Sequence, residues 1–376
     1  NLITLYHLIF IVKIKNNMKI CILGNGLTAL TLAKALTKQN VYVDVLHNIK
    51  NLNISKTRTI GISKSNIEFI NKNVININKL LWKLNKIEIF SDNLNSEKLI
   101  DFKKDNDQIF STVKNFKFYE LLERDLYKDK YFKSKLISSK NLSFINKYNL
   151  IINCDPLNII TKKFFNKNFI KKYNSNAYTT IISHKKIINN VAVQIFTKKG
   201  PLAFLPISNT QTSVVYSIPN NDNKTKENIE KLIINQNTKY EIKKIEKINN
   251  YALGFLNLRV YYYKNILAFG DLLHKIHPLA GQGFNMTIRD IKILLDIIKK
   301  KIDVGLPLDK TVGIEFQERT KHKNFIFSNG INLIHEFFNI ERKIKNNLLS
   351  KTIQKFSNYP PINKMFTKIA DRGVFF

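Results

Sequence analysis

Acidic residues are scarce in this chain. Its 376 residues hold 28 Asp and Glu against 61 Lys and Arg, a formal net charge of +33. An excess of that sign attracts polyanions, either nucleic acid or an anionic membrane face. A second reading needs no partner at all. The chain is saturated with Lys, Asn and Ile, residues of AT-rich codons, and a drifted genome yields that composition unselected. No zinc-knuckle spacing and no nucleic-acid module accompanies the charge, so no nucleic-acid partner is expected. Cysteine occurs twice, at Cys21 and Cys154, which excludes a disulfide framework and a cysteine metal site and points to a reducing compartment. Long apolar runs are also missing. Leu8 to Val12, flanked by Leu2, Ile3, Leu5 and Tyr6, falls short of the roughly 20 residues a membrane-spanning helix needs. It lacks a small-residue cleavage site as well.

Glycine and proline are few, 12 and 8, but they cluster. Met18-Lys-Ile-Cys-Ile-Leu-Gly-Asn-Gly-Leu-Thr-Ala29 is an apolar strand running into Gly24-x-Gly26-x-x-Ala29. A helix is predicted from Leu27 to Lys38 and a second strand from Val41 to Leu46. This is the dinucleotide fingerprint in its required context. Gly24 permits the tight turn. Gly26 lets the backbone approach a pyrophosphate resting on the helix N-terminus, beside Leu27 and Thr28.

The second cluster lies late: Gly270-Asp-Leu-Leu-His-Lys-Ile-His-Pro-Leu-Ala-Gly-Gln-Gly-Phe-Asn285. The apolar run Ile266 to Phe269 suits a buried strand, ended by Gly270 and Asp271. Pro278, Gly281 and Gly283 punctuate a loop. Ile288, Ile291, Leu294, Leu295 and Ile298 then predict a helix over Asn285 to Lys300. A carboxylate at a strand end, and a glycine loop feeding a helix N-terminus, suit a ligand with hydroxyls at one end and an electron-rich ring edge at the other.

The pair of motifs resembles the FAD-dependent aromatic hydroxylases of the para-hydroxybenzoate hydroxylase type, and more narrowly the ubiquinone-biosynthesis hydroxylases. Arg58-Thr-Ile-Gly-Ile-Ser63, Phe196-Thr-Lys-Lys-Gly-Pro-Leu-Ala-Phe-Leu-Pro206 and the tail Tyr359 to Gly373 resemble further segments of that family. The resemblance runs from Met18, where a family member would start, to Gly373. Residues 1–17 are therefore expected to be an upstream extension, a weak membrane-proximal anchor being the other reading.

The resemblance implies an α/β fold, with a Rossmann-like FAD-binding domain, an antiparallel-sheet substrate domain and C-terminal helices. The expected FAD-binding domain is discontinuous, over 18–60, 140–160 and 251–300. The substrate domain covers 61–139 and 161–250, and residues 301–376 form the helical segment. Implied cofactor contacts are Gly24, Gly26, Leu27, Thr28, His47, Arg58, Asp155, Gly270, Asp271, Pro278, Gly281, Gln282, Gly283, Phe284 and Asn285. Asp271 would bind the ribityl chain, and backbone groups from Gly281 to Asn285 would face the pyrimidine edge of the ring. Pro278 and His274, with an apolar wall of Phe204, Leu205 and Pro206, are the candidates around the reacting face; His277 is a further candidate for protonation.

Three positions depart from the family. His47 stands where an acidic residue usually holds the adenosine ribose, with Asp44 facing elsewhere by strand alternation. Phe116 stands where an arginine reaches the phosphates. Pro156, which supplies no N–H, replaces a glycine after Asp155.

The implied activity is oxygen insertion into the ring of a polyprenylated phenol in ubiquinone biosynthesis. Molecular oxygen is the co-substrate, and NAD(P)H or a separate reductase the electron source. The absence of a second dinucleotide fingerprint argues against a dedicated nicotinamide domain. Other readings remain: a flavin-fold scaffold subunit of a quinone-biosynthesis complex, motivated by the three departures, and a flavin-dependent isoprenoid reductase. The expected setting is cytoplasmic and peripheral to the inner face of a membrane, on the bacterial or organellar matrix side. Phe325, Phe327, Ile331, Ile334, Phe337 and Phe338 supply a candidate apolar stripe, for packing on the cofactor domain or for docking on a membrane or on complex subunits.

Overall fold

A computed structural model describes residues 19–373 except 50–51, 95–96, 104–107, 139–142, 221–227, 279–280, 345–347, 358, 360–363, 366–367 and 370. Residues 1–17 and seven of the fifteen residues of the tail motif lie outside the described residues.

The chain begins with β1 (Lys19–Leu23), α1 (Leu27–Thr37), β2 (Tyr42–His47), β3 (Thr59–Ser63) and α2 (Lys64–Asn73). Short strands β4 (Trp82–Leu84), β5 (Lys86–Ser91) and β6 (Lys98–Lys103) precede β7 (Phe110–Lys114), α3 (Asn115–Leu126), β8 (Phe132–Leu136) and β9 (Leu150–Asn153). After α4 (Ile159–Phe164) come the long β10 (Asn168–His184), β11 (Val191–Thr197), β12 (Gly200–Pro206) and β13 (Gln211–Pro219). Then follow α5 (Ile229–Gln236), β14 (Ile242–Ile245), β15 (Asn249–Leu258), the hairpin β16 (Tyr262–Tyr263) and β17 (Ile266–Ala268), and β18 (His274–Lys275). Helices α6 (Gln282–Asp303), α7 (Lys310–Ile344) and α8 (Leu348–Ser357) complete the order.

The first sheet runs β16-β17-β9-β1-β2-β8 and is parallel except for β16. β1 and β9 are apolar along most of their length and buried on both faces, as parallel strands covered by helices must be. Ile20, Ile22, Ile151 and Ile152 pack there with Leu32 and Leu36 of α1 and Leu294 and Ile298 of α6 in one continuous core. The second sheet runs β18-β15-β10-β13-β12-β11-β5-β6, with β14 also on β10. Leu202, Phe204, Val214 and Tyr216 on one of its faces pack against Ile233 of α5. A small third sheet runs β3-β7-β4.

Several sequence expectations change. Residues 61–139 do not stay together: β5 and β6 extend the antiparallel sheet through the β5–β11 pairing, whereas β8 takes the free edge of β2. β15 and β18, expected with the cofactor domain, pair into the antiparallel sheet. Trp82 of β4 donates its indole N–H to Asn189 O at 2.6 Å. The helical segment expected over 301–376 holds the end of α6, then α7, which runs unbroken through Ile340, and α8.

Candidate active site

Parallel pairing carries the ends of four strands to one edge of the sheet. Gly24 follows β1, His47 ends β2, Asp155 follows β9, and Gly270-Asp271 follows β17. Ligands of open parallel sheets bind at that carboxyl edge.

The turn after β1 is tight. Gly24 has φ +99°, and a Cβ there would lie 3.3 Å from Asp155 Cβ. Gly24 N–H donates to Leu46 O at 2.9 Å, tying the turn to β2. Gly26 is the N-cap of α1, so no side chain caps that helix, and no acidic residue occupies its first turn. A Cβ on Gly26 would meet nothing within 4 Å. The early and late motifs touch. Gly270 has φ +67°, and a Cβ there would lie 2.8 Å from Thr28 Cγ2 in the first turn of α1. The next residue, Asp271, is exposed at the end of β17.

The late loop is held from two sides. The β15–β18 pairing fixes His274 opposite Asn257. Gly281, with φ +64°, caps α6, and its Cβ would sit 3.3 Å from Gly61 N. The helix starts at Gln282, three residues before the expected Asn285. Asn285 is fully buried and spends its whole amide on the frame. Its Oδ1 accepts from Ser63 N–H at 3.0 Å and Asn66 Nδ2 at 2.9 Å; its Nδ2 donates to Gly61 O at 3.0 Å and Gly281 O at 3.1 Å. Phe284 meets Phe118 of α3 edge-to-face at 6.2 Å. Like α1, α6 has a glycine N-cap and no acidic residue in its first turn. Gln282 is buried there, and Gly283 has Ile276 3.9 Å from where its Cβ would be. The site therefore presents two uncapped helix N-termini, an exposed carboxylate, and glycines where side chains would obstruct. That set fits FAD: anionic groups favour uncapped N-termini, and a carboxylate accepts from sugar-type hydroxyls.

Other candidates fall differently. His47 turns both ring nitrogens to protein, to Ile49 O at 2.7 Å and Ser134 Oγ at 3.0 Å, so neither is open to a ribose. Asp44 is buried, accepting from Tyr148 at 2.6 Å and pairing with Lys19 at 2.7 Å. Burial opposes its charge, and these bonds outweigh it, holding the carboxyl below its ordinary range. Asp155 caps its own turn through Leu157 N–H at 2.9 Å. Arg58 is exposed, directly before β3, while its carbonyl accepts from Asn115 N–H at 3.0 Å. His274 Nε2 binds Asp290 Oδ2 at 2.6 Å with both side chains buried, and Asp290 Oδ1 accepts from Asn324 of α7 at 3.0 Å. That pair anchors the loop rather than facing a reactant.

The expected wall of Phe204, Leu205 and Pro206 splits by alternation. Phe204 points into the α5-side core. Leu205 lies on the opposite face with Leu84, Phe110 and Ala192. The Pro206 carbonyl accepts from the Thr112 hydroxyl. Leu205's face looks toward the cofactor side, since β7 pairs with β3 and Asn249 Nδ2 donates to Thr57 Oγ1 at 2.8 Å. Register places Ala177, Thr179 and Ile181 of β10 there beside Ser217, Val215 and Ser213 of β13 and Ala203 of β12. Val215 and Leu205 stay half-buried, and the buried hydroxyls of Ser175, Thr179 and Ser213 have no partner. Sequence reasoning missed these positions, because alternation marks a two-faced strand without saying which face meets a cofactor.

No protein-family model matches the chain. It is 23% identical to the mitochondrial ubiquinone biosynthesis monooxygenase COQ6 of Drosophila melanogaster, over 92% of this chain and 88% of that protein. It is 29% identical to the 3-demethoxyubiquinol 3-hydroxylase of Escherichia coli over 39% of each chain. The crystal structure of Klebsiella pneumoniae HpxO complexed with FAD and uric acid superposes with a TM-score of 0.71, covering 95% of this chain and 98% of that one at 10% identity. The fold is thus that of the FAD-dependent monooxygenases, and the likeness to the ubiquinone-biosynthesis hydroxylases extends over nearly the whole chain.

Proposed function

We propose that this chain is an FAD-dependent monooxygenase that hydroxylates the ring of a polyprenylated phenol in ubiquinone biosynthesis. The contact of Gly270 with Thr28 carries the reading, because it joins the pyrophosphate turn and the late Gly-Asp motif in one site. Bound FAD supplies the oxygen activation that no side chain can, using molecular oxygen and electrons from NAD(P)H or a separate reductase. The chain's own residues bind and orient. Free N–H groups at the start of α1 take the pyrophosphate. Asp271 accepts from the ribityl hydroxyls, Arg58 approaches the phosphates, and the amides from Gly281 to Asn285 favour negative charge at the pyrimidine edge.

The sheet face above supports the substrate assignment. Ala177, Thr179, Ala203, Val215 and Ser217 form a floor of small side chains without a lysine or arginine, in a chain rich in both. Such a floor accepts a flat, uncharged ring and offers no partner to a carboxylate. A prenyl tail fits peripheral attachment. Among the described residues no helix is long and apolar enough to cross a membrane. Ile326, Leu333 and Ile340, seven apart on α7, are exposed in one stripe. Phe327 is buried instead, and Ile331 and Phe338 pack inward. We read this stripe, with the +33 charge, as contact with an anionic membrane face or with subunits of a quinone-biosynthesis complex.

A scaffold role is the second reading, favoured by the closed ring of His47. Purified protein with a yellow flavin spectrum, consuming NAD(P)H and oxygen on addition of a prenylated phenol and giving a product one oxygen atom heavier, supports the hydroxylase. Colourless protein that takes up no FAD overturns it. Deleting the gene and identifying the precursor that accumulates would fix the ring position.

A further inference from the structure

His277 is 1% exposed, yet neither of its ring nitrogens has a hydrogen-bond partner. The other buried imidazoles are satisfied. His184 meets Lys185 O at 2.8 Å and Thr212 Oγ1 at 3.0 Å, His274 meets Asp290, and His335 lies 3.3 Å from Asn339 Nδ2. Leaving a buried polar group unpaired costs about 1–3 kcal/mol. A phenylalanine would fill the same space without that cost, so packing does not explain a histidine here.

Its surroundings point to a ligand. His277 immediately precedes Pro278, at the head of the loop that feeds α6. The ring stacks on His335 of α7 at 4.2 Å and meets the edge of Tyr173 of β10 at 5.5 Å. Tyr173 has committed its own hydroxyl to Asn332 Oδ1 at 2.9 Å. Farther along β10, Ser175 and Thr179 carry the other unpaired buried hydroxyls of that strand. Unsatisfied polar atoms thus run from the cofactor loop onto the floor of small side chains.

We propose that His277 is a substrate-contacting residue, one of whose ring nitrogens hydrogen-bonds the free hydroxyl of the phenolic ring being oxidised. This rests on the hydroxylase reading above. Burial, and then the neighbouring His335, hold His277 well below the ordinary imidazole range. The neutral ring keeps a lone pair on one nitrogen, which can accept from the phenol hydroxyl. A hydrogen bond from the phenol to that lone pair raises electron density in the ring and orients the carbon to be attacked. A methyl ether can accept but cannot donate, so it loses that bond.

The test uses FAD-loaded protein, a geranyl-substituted phenol and its methyl ether, with binding read from the flavin absorbance. Wild type should bind the phenol at least about tenfold more tightly than the ether, about 1.4 kcal/mol. His277→Phe keeps the stack on His335. It should retain its flavin content with a Tm no lower than that of wild type, bind both compounds alike, and lose at least about tenfold in kcat/KM. A His277→Phe protein that still prefers the phenol overturns the inference while leaving the hydroxylase reading intact. Wild type that takes up FAD but binds neither compound overturns the hydroxylase reading itself. Should the variant fail to load flavin, the wild-type ring answers: its 15N signals should shift with the phenol and not with the ether, and unchanged signals overturn the proposal.

Discussion

Asn285 and Gly61 stand 224 positions apart in the chain and are joined at 3.0 Å, side-chain amide to backbone carbonyl. The bond fastens the start of α6 to β3, and Gly281 leaves just enough room for that approach. Asn285→Ala strips the partner from Gly61 O, Ser63 N–H and Asn66 Nδ2 at once. A loss of about 3 kcal/mol is expected, with weaker FAD binding. Thermal denaturation with and without added FAD measures both, and a Tm within a degree of wild type would show that the bridge is dispensable.

The open N-terminus of α1 yields effects of opposite sign from one change. Gly26 has φ −72° and free space beyond its Cα, so Gly26→Asp fits and can cap the helix. The FAD-free protein should gain about 0.5–1 kcal/mol. FAD affinity should collapse, because the new carboxylate occupies and repels the pyrophosphate position. Equilibrium dialysis and urea denaturation read the two quantities separately.

The Gly270–Thr28 contact predicts coupling. Gly270→Ala sets a methyl against Thr28 Cγ2 and strains a left-handed backbone, with an expected loss of about 2 kcal/mol or more. Thr28→Ser removes that γ-methyl and should restore part of the loss, a favourable interaction of about 1 kcal/mol in a double-mutant cycle on stability. Strict additivity would mean the two motifs do not touch.

His277 predicts a pH dependence. Its folded-state pKa is depressed, so the unfolded chain binds the extra proton more readily. The contribution is therefore fully present above the ordinary imidazole pKa of about 6.5 and is lost as pH falls below it, by up to about 1.4 kcal/mol per unit. The urea midpoint should drop between roughly pH 6.5 and 5 in wild type and drop less in His277→Phe.

Lys292 behaves in the same sense at higher pH. Burial, and then the neighbouring Arg289, lower its pKa to about 8. Its charge, only partly offset by Asp371 and Glu68, is a burden below that value, relieved as pH rises toward the ordinary lysine range near 10.4. Lys292→Met should stabilise the protein at neutral pH by about 1–3 kcal/mol and flatten the alkaline rise. A destabilised variant would show that the 3.4 Å contact with Ser65 O matters more than the buried charge.

Legibility in the sequence followed locality. Gly24, Gly270 and Gly281 could be read because a positive φ is a demand made within a few residues. β1 and β17 could be read because their apolar runs are continuous. The engagement of His47 could not, since Ser134 arrives only when β8 settles on β2, 87 residues later. Phe204 and Leu205 are adjacent and equally apolar. Only tertiary packing decides that one meets α5 and the other β7. His277 is one imidazole beside another in the motif, and its missing partners are a property of three distant elements.

Ser63 carries a final consequence. Its amide is bound by Asn285 and its hydroxyl donates to Asp371 O at 2.9 Å, while Asp371 Oδ1 accepts from Ser65 N–H at 3.0 Å. Ser63 therefore waits for a partner that follows it by 308 positions. During synthesis the first βαβ unit can form as it emerges, but the pocket built upon it stays unlocked until Asp371 has left the ribosome.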